Sequence, residues 1–170
     1  MPATPVTRAS LRDIRPMAAP IPMTDLPARI WSGADWHRLG YGYRAVDMDE
    51  KWQVAVEDGV ARLYRSWTGN QIFEATFAPC EGGRVIASAL VESLPDRYRR
   101  TSEKYDRTIL ELVLSAIVLG EPATELGATL VRLARAETGR ADLPSGVILH
   151  SALGLRTATE AARGLSESAA

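Results

Sequence analysis

The Asp58-Gly59 pair, set between two alternating apolar runs, constrains this chain more than any other feature. Before it, Trp52, Val54 and Val56 alternate with Gln53, Ala55 and Glu57; after it, the run 60–64 continues in the same style. Asp-Gly suits the tight two-residue hairpin turn, whose central residues both take positive φ. Counting back from that turn pairs Val56 with Ala61, Val54 with Leu63, and Trp52 with Arg65. One face then carries Trp52, Val54, Val56, Ala61, Leu63, Arg65 and Trp67. An Arg in that apolar row is out of place.

The following turn decides what Arg65 meets. A two-residue loop at Gly69-Asn70 sets Arg65 opposite Glu74, a cross-strand ion pair. A three-residue loop at Thr68-Gly69-Asn70 sets it opposite Phe73. The second register is preferred, because it puts Phe73, Ala75 and Phe77 on the apolar face with Leu63 and Trp67. Arg65 then lies between Trp52 and Phe73, a cation–π setting. A fourth strand, 84–92, follows the Glu81-Gly82-Gly83 turn.

Helical signals flank this sheet. Ser32 and Asp35 form a capping box ahead of Trp36 and Leu39, with Gly40 as the C-terminal cap. Thr101 or Ser102 caps a helix in which Tyr105, Ile109, Leu112, Val113 and Ala116 recur at helical spacing. Leu110, Leu114, Ile117 and Val118 make it apolar on most sides, so it is buried across the sheet or joins a dimer interface. Gly120 and Pro122 end it. Leu126, Leu130 and Leu133 mark another helix, closed by Gly139. Residues 147–149 fit strand or helix, and 157–163 read as a short helix. The predicted fold is α+β: an antiparallel meander of about four strands with two or three helices packed on one face.

A chain of 170 residues with 46% hydrophobic content is one domain by length and can bury a sizeable core. Residues 1–27 read as a Pro-rich arm, 28–165 as the domain and 166–170 as a frayed tail. Within the arm, 11–15 fit one helical turn before Pro16. The formal net charge of -1 gives no reason to expect nucleic acid or an anionic membrane as partner. No apolar run reaches bilayer length, and the arm is no secretory signal. The single cysteine, Cys80, forms no internal disulfide, and a cytoplasmic location is expected.

Few chemistries are supported. Zinc needs about four His or Cys ligands, and only His37, His150 and Cys80 exist, so no metal or cofactor is expected. Phosphate loops and a serine-nucleophile elbow are absent. Asp47, Asp49 and Glu50 read as a solvated acidic loop or a ligand contact. A hydrolytic activity would need Glu74 or Asp49 as base. What stands out is Arg65-Ser66-Trp67-Thr68-Gly69-Asn70. Turn chemistry explains Thr68, Gly69 and Asn70. The functional reading uses Arg65 as an anion clamp, with Ser66, Thr68 and Asn70 as orienting groups and Trp52 or Trp67 as a stacking face. Such a pocket suits a small anionic, nucleotide-like ligand or the carboxylate of a partner protein. The alternative is an interaction module, an adaptor or immunity-type protein, that uses helix 105–119 for a partner or a homodimer.

The run Met48-Asp49-Glu50-Lys51-Trp52, paired with Arg65-Ser66-Trp67-Thr68-Gly69 and the strand Ile72-Phe73-Glu74, resembles an uncharacterised bacterial family of small α+β proteins. The resemblance spans residues 31–77, and the helical half is similar only in hydrophobic character. This family is loosely associated with proteins that process ADP-ribose, which makes an ADP-ribose-like ligand the implied expectation. The resemblance carries over Lys51, Trp52, Arg65, Ser66, Trp67, Thr68 and Gly69 as functional or structural positions.

Overall fold

The computed structural model describes residues 3–156. The short helix expected at 157–163 and the tail at 166–170 lie outside the described residues.

Five antiparallel strands form one sheet in the order β1-β5-β4-β3-β2. The meander consists of β2 (Trp52–Glu57), β3 (Val60–Arg65), β4 (Gln71–Cys80) and β5 (Gly83–Glu92). The additional strand, β1 (Pro20–Pro22), comes from the segment read as an arm and pairs with β5, Ile21 facing Val91. Two of its three residues are prolines, which cannot donate to a ladder. That disguises a strand in the sequence, yet it is tolerated at a sheet edge.

The first hairpin has the predicted register: Val56 faces Ala61, Val54 faces Leu63 and Trp52 faces Arg65. Asp58 (φ 53) and Gly59 (φ 80) both take the left-handed conformation that this turn requires. The second turn follows neither expected register. Leu63 faces Phe73, the ladder slips between Leu63 and Tyr64, and Tyr64 faces Gln71. Arg65 therefore lies opposite Asn70, whose carbonyl accepts its N–H at 2.9 Å. The turn is closed by Gly69 N–H donating to Arg65 O at 2.9 Å, a single helix-like turn. The apolar face keeps Leu63, Phe73, Ala75 and Phe77. Trp67 leaves it and is 67% exposed.

Four helices accompany the sheet among the described residues. The capping box of Ser32 and Asp35 opens α1 (Gly33–Leu39). Its end at Gly40 keeps a right-handed φ of -58, so Gly40 is not used for its freedom. Ser102 caps α2 (Glu103–Leu112), which widens into a π-helical stretch, Val113–Val118. Two further helices are α3 (Thr124–Thr138) and α4 (Ser145–Leu153); the ambiguous 147–149 belong to α4. Leu110, Val113, Leu114 and Ile117 share one core with Trp52, Leu63, Phe73 and Val91 of the sheet. Leu110, Leu114 and Val118 are all buried, so they form no exposed stripe.

Ala55 and Tyr64, which alternate with the core residues of β2 and β3, pack against Leu11, Val6 and Ile14. The N-terminal segment thus covers a second set of strand side chains. Its helical turn is a 3-10 turn at Arg8–Ser10, slightly earlier than expected. Glu92 fixes the segment further on. Its carboxylate is shut off from solvent and accepts the N–H groups of Ala18 (2.7 Å) and Ala19 (2.9 Å).

Candidate functional site

The segments 48–52 and 65–69 interlock. Ser66 N–H donates to Lys51 O at 3.0 Å, and Ser66 Oγ donates to Glu50 O at 2.5 Å. Trp67 Nε1 donates to Met48 O at 2.9 Å. The β3–β4 turn is thereby laced to the loop before β2. Glu50, expected in a solvated acidic loop, is fully buried; its carboxylate accepts from the Tyr43 hydroxyl and Val46 N–H. A carboxylate with bonded donors survives burial that an isolated one does not. Asp47 and Asp49 stay exposed.

The laced loops receive the end of α4. Leu155 N–H donates to Asp49 O at 2.9 Å, and Glu50 and Gly154 form an isolated bridge. The last carbonyls of a helix lack partners within it and carry partial negative charge. Here Lys51 and side chains of β2 and β3 reach them. Trp52 Nε1 donates to Ala152 O at 2.8 Å, and Lys51 Nζ donates to Ser151 O at 3.1 Å. Arg65 Nη1 makes a longer contact of 3.5 Å with Ala152 O.

Arg65 is the unusual member. Its guanidinium lies 4.2 Å from the centre of the Trp52 ring, the cation–π arrangement expected from the hairpin. Trp52 in turn lies 6.1 Å from Phe73, ring centre to ring centre. No carboxylate among the described residues pairs with Arg65, and burial lowers its pKa. Lys51 is lowered too, first by burial and then by the neighbouring Arg65 charge. Lys51 and Arg65 thus lie side by side with no carboxylate between them among the described residues.

Two clefts open onto Arg65. One, of about 320 Å³, is lined by Lys51, Arg65, Trp67, Thr68, Arg97 and Ser151. The other, of about 210 Å³, shares Arg65, Arg97 and Ser151 and adds Arg99, Thr101 and Tyr105 among its walls. Together they hold four cationic side chains and no carboxylate. A larger cavity of about 650 Å³ lies among α2, α3 and α4, walled by Leu112, Val131, Leu149 and similar residues. It is roomier, but its polar lining is limited to Thr124, Arg132, Arg135 and Ser145. Charge rather than volume marks the Arg65 clefts as the better candidate.

The predicted site residues are divided between different surroundings. Lys51, Arg65, Trp67 and Thr68 meet at the first cleft. Trp52 lies beneath Arg65, fully buried, with its ring faced by the guanidinium. Ser66 is committed to the 48–51 loop. Gly69 and Asn70 face the N-terminal segment: Arg15 N–H donates to Gly69 O at 2.8 Å, and Gln71 N–H donates to Arg15 O at 2.9 Å. Asn70 is buried there, and its Oδ1 has no hydrogen-bond partner among the described residues. Glu74 pairs with Arg62 at 3.3 Å, and neither it nor Asp49 lines a cleft.

Residues 97–105 were missed as site components. The run Arg97-Tyr98-Arg99-Arg100 carried the signal, a dense basic cluster with an aromatic residue inside it. Arg97 is held by Pro16 O at 2.9 Å and lies 3.9 Å from Glu92. Tyr98 donates to Asp106 Oδ1 at 2.8 Å, and Arg100 Nε donates to Oδ2 at 2.8 Å. Burial raises the Asp106 pKa even against those two bonds. Burial and the Asp106 charge together push the Tyr98 hydroxyl well up.

Among the described residues there is no cluster of three or more metal-ligating side chains, and no helix is long and apolar enough to cross a membrane. The chain matches no protein-family model, no curated protein and no solved structure.

Proposed function

We propose that this domain binds a small anionic, phosphate-bearing ligand at the clefts around Arg65. One observation carries the reading: a half-buried guanidinium with no carboxylate partner, beside Lys51, in clefts whose walls are basic and contain no acid. Leaving a charge buried and unpaired is costly, and an anion of matching geometry removes that cost. Trp67, exposed at the mouth, offers a stacking face, and Thr68 offers a hydroxyl. An ADP-ribose-like ligand satisfies these chemistries, as the motif resemblance implies. Arg65 and Lys51 bind its phosphate, and Trp67 stacks on its ring.

A protein partner that delivers a carboxylate is the second reading. Its own observation is the exposure of Val46, Met48 and Trp67, three large apolar side chains beside the same loops. Helix 105–119 does not support that reading, because its apolar residues are already used in the core.

A thermal-shift screen tests the proposal: wild type, Lys51→Gln and Arg65→Ala against ADP-ribose, NAD, mononucleotides and inorganic phosphates. A ligand at a hundred times its Kd stabilises the native state by about 2.7 kcal/mol. For a domain of this size that is a rise of roughly 5–10 °C. Lys51→Gln leaves the Trp52 stack in place and should shrink the rise while keeping the fold. No shift with any compound in a well-folded wild type would overturn the small-ligand reading.

A further inference from the structure

Two clefts, rather than one, meet at Arg65. We infer that they are the halves of a single bipartite site, and that its ligand carries two linked anionic groups, one toward Lys51 and one toward Arg99. This inference rests on the anion-binding reading above and specifies the class of anion.

The arrangement follows from the chain path. Arg65 ends β3, and the connector from β5 to α2 passes close by it, bringing Arg97, Arg99 and Thr101. Arg65 and Arg97 line both clefts, so they form a shared wall. Beyond that wall each cleft has its own cation: Lys51 in the first, Arg99 in the second. A single phosphate is served fully by one cleft and leaves the far cation unused. A ligand with two linked phosphoryl groups places one charge on each side and keeps the middle of the linkage at Arg65 and at the free edge of Arg97, whose Nη1 already donates to Pro16 O and lies 3.9 Å from Glu92. Arg suits this position, because its planar fork can donate to two neighbouring oxygens in different directions. Linking the two groups turns the second contact into an intramolecular event, which raises affinity without any further contact type.

Isothermal titration of the full chain with orthophosphate, pyrophosphate and tripolyphosphate at 0.15 M salt tests the inference. That ionic strength screens loose surface attraction. One polyphosphate should bind per chain, at least about tenfold tighter than orthophosphate. The advantage should collapse in Lys51→Gln and equally in Arg99→Gln, with circular dichroism confirming the fold of both. Two observations would overturn the inference alone: polyphosphates no tighter than orthophosphate, or two orthophosphates per chain with no gain on linking them. Failure of every phosphate to bind wild type would instead remove the anion reading beneath it.

Discussion

Replacing Gly69 with Ala tests how the N-terminal segment is locked onto the site. Gly69 has φ +74, and a Cβ there would stand 1.9 Å from Asp13 O. Gly139 is the matched control: its φ is +68, and a Cβ there meets nothing within 4 Å. Both substitutions carry the left-handed penalty of about 1–2 kcal/mol. Only Gly69→Ala also forces the 13–15 backbone away, which breaks the two hydrogen bonds between Arg15 and the β4 entrance. At about 0.5–1.5 kcal/mol each, they bring its total to about 2–5 kcal/mol. Urea unfolding of both variants measures the difference. Hydrogen exchange locates it, because the amides of Arg15 and Gln71 should lose protection in Gly69→Ala alone. Arg97 is held by Pro16 O, so phosphate binding should weaken in that variant too. Equal losses for the two alanines, within about 0.5 kcal/mol, would refute the lock.

Other outcomes follow from buried groups. Burial would raise the Glu92 pKa, but hydrogen bonds from Ala18, Leu94, Ala19 and Ser93 bring it below its ordinary 4.5. The stability from Glu92 is therefore complete above pH 4.5 and disappears as the pH falls through the lowered folded value; Glu92→Gln should flatten that acid limb in pH-dependent unfolding. Glu50→Ala strips the Tyr43 hydroxyl and Val46 N–H of their carboxylate, and chemical denaturation should show a loss of about 2–5 kcal/mol. Leu114→Ala should cost about 2–5 kcal/mol in urea, and a loss below about 1 kcal/mol would mean that this side chain is not core.

Much of the sheet was legible because its signals are local. Asp58-Gly59 and the flanking alternation specify a turn, a register and a buried face within fourteen consecutive residues, 52–65, and the structure keeps all three. The next turn was not legible. A bulge after Leu63 and a helix-like closure at Gly69 leave no distinctive residue pattern, so counting along the strand misplaced Arg65 against β4. β1 was hidden by its own prolines. At the site, Arg65 over Trp52 was foreseeable from hairpin pairing. The capping of α4 was not, since Ser151 and Ala152 lie about a hundred residues away and contribute only backbone atoms. Arg97 and Arg99 were visible as a basic cluster, but nothing local says which side of the sheet their connector passes.

The carbonyls of Ser151 and Ala152 would act as a tethered competitor for the proposed anion. Ser151 O accepts from Lys51 Nζ at 3.1 Å, and Ala152 O lies 3.5 Å from Arg65 Nη1. Because they belong to the same chain, their effective concentration does not fall on dilution. An anion bound as proposed would share these cations with the end of a helix. Occupancy of the clefts, as proposed, would be felt first at the last turn of α4, whose carbonyls stand beside the same two cations.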